Sequence, residues 1–265
     1  MMRLCSIASG SSGNCIYAGT ENTHILVDAG ISGRRIENGL KEFGAAPEKL
    51  SGVFITHEHV DHIQGLGVLS RRYHLPIYGT RETLLALSKA PGLGKIDGSL
   101  FRPVVPDQPF EIGDIRVNPF SISHDAANPV CYTFESGGHK LGMATDLGTY
   151  DSYIVERLSG SEILYLEANH DVNMLMAGAY PYALKQRILG ARGHLSNDSC
   201  ANLICELLHD GLRSIVLAHL SKENNYAELA YETVRCEVEG HTCGRACPRI
   251  CVASREVPTG IAALA

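Results

Sequence analysis

The sequence predicts an α/β protein built in layers, on three observations. Short β-branched runs closed by Gly, Asn or Asp alternate with helical spacings of apolar residues. Later strands are continuous apolar runs suited to burial on both faces, and no linker rich in Pro, Ser or charge divides the 265 residues. With 45% apolar and 20% charged residues, residues 1–265 are expected to form a single domain with two layered halves and a substantial core.

The elements follow in order. Strands are expected at 4–8, 15–18, 24–27 and 53–55. Helices are expected at 33–43, where Ile36, Leu40 and Phe43 share a face, and at 63–73, where Ile63, Leu66, Leu69 and Tyr73 do. Residues 100–143 read as strands in two hairpins, with turns at Gly113 and at Gly137–Gly138. Beyond Asp146 the expected order is helix 150–158, strand 163–168, helix 197–209, strand 214–218, helix 226–237 and strand 249–253. The run Ser214-Ile215-Val216-Leu217-Ala218 has the character of a central parallel strand.

Composition narrows the function. A net charge of −6 disfavours polyanion binding by bulk charge, but bound divalent ions add positive charge that this sum omits. The nine cysteines form no CxxC pair, no apolar leader follows Arg3, and no run reaches the ~20 apolar residues of a membrane span. These features predict a reducing, cytoplasmic location with no membrane partner.

Twelve histidines are many for this length, and four potential ligands fall in Thr56-His57-Glu58-His59-Val60-Asp61-His62, directly after an apolar strand. In extended backbone His57 and His59 point to one side, while Asp61 and His62, where the chain turns helical, are displaced toward a neighbouring position. One segment thereby feeds two metals. Other strand ends offer His124, Asp146 and His219. With Asp146 bridging, these seven side chains fill two four-coordinate shells. Nitrogen-rich shells with carboxylate suit zinc, with manganese or iron as alternatives. Two divalent ions acidify bound water to a pKa of about 7, and phosphodiester hydrolysis by the resulting hydroxide is the natural use.

The HxHxDH motif, followed in order by His124, Asp146 and His219 and preceded by Asp28 in Leu26-Val27-Asp28-Ala29-Gly30, resembles the metallo-β-lactamase fold, a four-layer αβ/βα sandwich. The resemblance implies a first metal on His57, His59, His124 and Asp146, and a second on Asp61, His62, Asp146 and His219, with Asp28 supporting a ligand from behind. Glu167 in Leu166-Glu167-Ala168-Asn169-His170-Asp171 and His194 in Gly193-His194-Leu195-Ser196 look like the paired Glu and His loops of ribonuclease Z and related nucleases. That likeness makes His194 the general acid and Glu167 its orienting carboxylate, so that Asp61, His194 and Glu167 are the expected catalytic residues. The plainer readings are a helix entry with Ser196 or Asn197 as N-cap, and a strand-end cap for Glu167.

Ser9-Gly10-Ser11-Ser12-Gly13-Asn14, the Asn169-His170-Asp171 segment and His219-Leu220-Ser221 followed by Asn224-Asn225 together resemble the YycJ/WalJ family. That resemblance implies a 5′ to 3′ DNA exonuclease acting at a 5′ end, linked to mismatch repair and its proteins. Ser11, Ser12, Asn14, Asn169 and His170 become the expected substrate-binding residues. For the Gly-Ser loop, backbone NH groups and hydroxyls suit phosphate, and an ordinary hairpin turn is the alternative. Two rivals to the exonuclease remain: a metallohydrolase of a small ester, thioester, lactone or cyclic phosphodiester, and a binding protein that keeps the fold without catalysis. Cys243, Cys247 and Cys251 read as ordinary thiols, because Pro248 interrupts any shared helix face.

Overall fold

The computed structural model describes residues 1–42, 44–242, 246–260 and 262–264. Phe43, expected on the helix face of Ile36 and Leu40, and the thiol of Cys243 lie outside these residues. The elements run β1 (Met2–Ala8), β2 (Cys15–Gly19), β3 (His24–Val27), α1 (Gly33–Glu42), β4 (Leu50–Phe54), α2 (Val60–Ile63), α3 (Leu66–Tyr73), β5 (Ile77–Thr80), α4 (Arg81–Leu87) and β6 (Phe101–Val104). There follow β7 (Phe110–Ile112), β8 (Ile115–Ser121), β9 (Val130–Ser136), β10 (His139–Ala144), α5 (Ser152–Leu158), β11 (Ile163–Glu167), α6 (Val172–Ala177) and α7 (Tyr182–Leu189). The last are α8 (Asn197–Glu206), β12 (Ser214–Ala218), α9 (Ala227–Thr242), β13 (Arg249–Val252) and β14 (Ala262–Leu264). They fall into two compact units, Met1–Ser121 with Ala126–His139 and Ser254–Ala265, and Ile122–Asp125 with Lys140–Ala253.

The first unit holds a mixed seven-stranded sheet in the order β14-β1-β2-β3-β4-β5-β6. Its early strands are antiparallel and β3 to β6 are parallel. Ile36 and Leu40 of α1 are fully buried in its core with Ile7, Leu26, Val53 and Leu69, as the helical spacing predicts. A second strand group in this unit, β7-β8-β9, is an antiparallel meander. The ring of Phe54 meets Tyr132 edge-on at 5.5 Å and stacks on Tyr78 at 4.5 Å.

The expected helix over 63–73 is two helices, α2 and α3, parted at Gln64–Gly65. The break has a cause. Gly65 N donates to Ala29 O at 2.7 Å, and a Cβ on Gly65 would lie 2.1 Å from Ile31 O. The backbone bends where the Ala29–Ile31 loop presses against it. Sequence spacing also left β5, α4, β14, α6 and α7 unassigned.

In the second unit β10, β11, β12 and β13 pair in parallel in chain order. β11 is buried throughout and β12 nearly so, as continuous apolar runs require. Asp151 caps α5 by accepting from Tyr153 N and Ile154 N, and Ser196 caps α8 by accepting from Ser199 N at 3.1 Å.

Candidate metal centre

In the first unit, β4 delivers the histidine motif. Ile55 O accepts from Tyr132 Oη at 3.0 Å and Thr56 O from Val130 N at 3.0 Å, which fixes the strand end. His57 and His59 converge as their two-residue spacing predicts, with ring centroids 4.5 Å apart, and His57 and His62 are 4.1 Å apart. His59 is the N-cap of α2, and Asp61 Oδ2 lies 3.5 Å from His62 Nε2. His57 and His62 are fully buried.

Asp28 stands behind this cluster. Its Oδ1 accepts from Thr56 N at 2.9 Å and its Oδ2 from His62 Nδ1 at 2.7 Å. That bond puts the proton of neutral His62 on Nδ1 and leaves the Nε2 lone pair for a metal. Burial pushes the Asp28 carboxyl above its usual range, even though His62 and Thr56 oppose the shift.

Asn14 has the same neighbourhood, which the sequence did not disclose. Its Oδ1 accepts from Gly10 N at 2.9 Å, and its Nδ2 is 3.1 Å from His62 Nε2 and 3.5 Å from Asp61 Oδ2. The amide thus packs on two expected ligands, whereas Ser11 and Ser12 in the same loop are exposed.

In the second unit Asp146, Glu167, His194 and His219 each offer a ligand atom within 4.8 Å of the others. His124 Nε2 and His219 Nε2 lie 3.7 and 3.6 Å from Asp146 Oδ1. His124 Nδ1 donates to Gly193 O at 3.1 Å, again directing Nε2 toward the cluster.

Glu167 is buried and every part of its carboxylate is engaged. Oε1 accepts from Nδ1 of both His194 and His219 at 2.8 Å, and Oε2 from Leu147 N at 3.0 Å and Leu195 N at 3.1 Å. Burial alone would raise this carboxyl, but the charge and hydrogen bond of His194, with the bond from His219, hold it well below the usual range. The same contact acts on His194: burial lowers its affinity for a proton, yet Glu167 and Asp146 outweigh that and raise it overall. A histidine disposed to carry a proton, 3.6 Å from Asp146, is suited to protonate a leaving oxygen.

Asn169 and His170, expected to meet substrate, are both buried. Asn169 Nδ2 donates to His219 O at 2.8 Å. Asn225 Nδ2 donates to Ala168 O, Asn169 O and Asn197 Oδ1 at 2.8–3.1 Å, a clamp that the sequence analysis did not identify. Among the described residues neither ring nitrogen of His170 has a hydrogen-bond partner, and burial pushes its pKa down to about 4, so the ring is neutral.

Three expected site residues, Asp28, Asp146 and His219, have φ of 55–59°. Each follows directly or closely on a strand, and each is a non-glycine residue in the left-handed region, at a cost of about 1–3 kcal/mol. Such turns aim side chains off strand ends. The donors fit divalent metal: buried imidazoles with Nδ1 engaged and Nε2 presented, beside carboxylates. Cys247 and Cys251 belong to no such ligand group among the described residues.

The Beta-lactamase superfamily domain matches residues 23–220, which include every expected metal ligand. Exodeoxyribonuclease YycJ of Bacillus anthracis is 41% identical over 228 residues, 86% of each chain. Exodeoxyribonuclease WalJ of Streptococcus pneumoniae is 41% identical over 232 residues, 86% of this chain and 85% of that one. Among solved structures, the metallo-β-lactamase fold protein YhfI of Bacillus subtilis superposes with a TM-score of 0.70 at 18% identity, covering 98% of this chain and 100% of that one. Human tRNase Z, short form, superposes with a TM-score of 0.67 at 15% identity, covering 98% and 99%. The fold is the expected α/β sandwich.

Proposed function

The chain belongs to the β-lactamase superfamily and, within it, to the family of the YycJ and WalJ exodeoxyribonucleases, and on that premise we propose that it removes nucleotides stepwise from a DNA 5′ end. The observation that carries this reading is His194, held through Nδ1 by Glu167 and 3.6 Å from Asp146. An alkoxide leaving group needs such a donor. Residues 1–265 act in this reading as one domain.

His57, His59, His124 and Asp146 would hold one divalent ion, and Asp61, His62, Asp146 and His219 a second, with zinc favoured by the nitrogen-rich donors and manganese or iron as alternatives. When bound, the ions lower the pKa of water toward about 7 and draw in the charge of the phosphodiester. Asp28, Glu167 and Gly193 O set the tautomers of His62, His219 and His124, so each presents Nε2. His194 Nε2 gives its proton to the 3′ oxygen as the P–O3′ bond breaks and water oxygen joins phosphorus, releasing a 5′-mononucleotide. Ser11 and Ser12 offer exposed hydroxyls to phosphate, while Asn14 and Asn169 act by holding Asp61 and His219. The reading extends to a role beside mismatch-repair proteins in the cytoplasm. No helix among the described residues is long and apolar enough to cross a membrane.

Linear DNA labelled separately at each end tests the reading, with zinc, manganese or iron added and chelated protein as control. Early release of the 5′ label as mononucleotide is expected. Early loss of the 3′ label overturns the polarity, and hydrolysis confined to a small diester or thioester overturns the nuclease assignment.

A further inference from the structure

Helix α7 is an anomaly of packing: none of its residues is buried, and in α6 only Leu175 is. A helix without a buried face gains little from folding against its own chain. From Val172 to Arg192 the sequence carries Lys185, Arg187 and Arg192 and no carboxylate, in a chain of net charge −6. Met176, Tyr182 and Leu189 on this stretch are 47%, 71% and 38% exposed. Exposed apolar and aromatic surface interleaved with cations indicates a partner that is both flat-faced and anionic.

The stretch is also fixed to the catalytic residues. His194 N donates to Ile188 O at 3.0 Å, and the Arg192 guanidinium donates to His124 O at 3.1 and 3.2 Å. Arg187 Nε pairs with Asp125 Oδ2 at 2.6 Å, and Ser123 Oγ donates to Ala191 O at 2.7 Å. A Cβ on Gly193 would lie 2.1 Å from Ile188 O, so the turn into His194 closes tightly against α7.

Resting on the exonuclease reading, we propose that α6–α7 is a docking platform for the single-stranded nucleic acid being degraded, with Tyr182 stacking on a base and Lys185 and Arg192 facing its phosphates. Single strands fit because a stacked duplex offers no base face to an exposed tyrosine. An apolar protein partner would cover the Lys185 and Arg192 charges and strand them away from water, and a remote partner would not need a surface continuous with His194.

The test measures binding of a fluorescent, cleavage-resistant phosphorothioate decamer to the metal-loaded protein. Tyr182→Ala and Tyr182→Leu should weaken binding about tenfold, whereas Tyr182→Phe and Tyr182→Trp, which keep a stacking ring, should stay within about twofold. Lys185→Gln should make the dependence of log affinity on log salt shallower by about 0.7. Decamer affinities of Y182A and K185Q equal to wild type overturn the platform. So does a Y182A that loses self-association or vesicle binding while holding the decamer normally, since the surface then serves a protein or a membrane. Wild-type protein that neither binds the decamer nor degrades DNA overturns the exonuclease reading as well. Wild-type protein that degrades DNA while Y182A binds normally overturns this inference alone.

Discussion

Glu167 is the residue on which most of the candidate chemistry turns, because one carboxylate oxygen holds two histidines with different proposed tasks. Its other oxygen accepts two backbone NH groups. In Glu167→Gln the new NH2 must face donors on one side or the other, leaving buried groups in conflict at about 1–3 kcal/mol. Two readouts separate the tasks. His194→Ala should lower kcat about 100- to 10,000-fold on end-labelled DNA through loss of the proton donor, with metal affinity nearly intact. E167Q should lower kcat and also weaken metal about 10- to 100-fold in chelator competition, because His219 loses its orienting partner. The double variant should be hardly worse than E167Q, since the two residues act as a unit.

At the scale of elements, the second unit places its chemistry on strand ends and then ties those ends together with buried amides. Asn225 donates to the carbonyls of Ala168 and Asn169 just beyond β11 and exchanges bonds with Asn197 at the start of α8. Asn169 in turn supports the left-handed His219 after β12. Asn225→Ala leaves buried carbonyls without partners, and a loss of about 1–3 kcal/mol is expected in the denaturant midpoint. The same change should weaken metal binding, which a purely stabilising role would not do. An unchanged chelator titration in a destabilised N225A would reduce Asn225 to packing.

For the whole molecule, each unit gathers imidazoles beside carboxylates, an arrangement that suits bound cations. Ligand binding to the folded state alone adds about 2.7 kcal/mol at a free concentration 100-fold above Kd. Chelation should therefore lower Tm by about 5–10 °C, and restoring zinc, manganese or iron should recover it to different extents. A Tm indifferent to chelation and metal return would argue against resident ions, independently of any activity assay.

The sequence by itself determined the α/β class, most strands and helices, and the convergence of His57 and His59, because those signals are local. A two-residue spacing in extended backbone brings His57 and His59 together whatever else the chain does. The family resemblance added Asp28 as a support and Glu167 as the partner of His194, and both contacts are present. Only the tertiary structure decided that Glu167 also holds His219, that Asn14 packs on Asp61 and His62, and that Asn225 clamps the strand ends. It also decided that the helix expected over 63–73 divides where Gly65 meets the Ala29–Ile31 loop, and that α7 keeps no buried face. These are contacts between residues far apart in the chain, or the lack of them. Periodicity records which residues are apolar, whereas the partner of a buried carboxylate or amide is fixed only when strands take their neighbours and register.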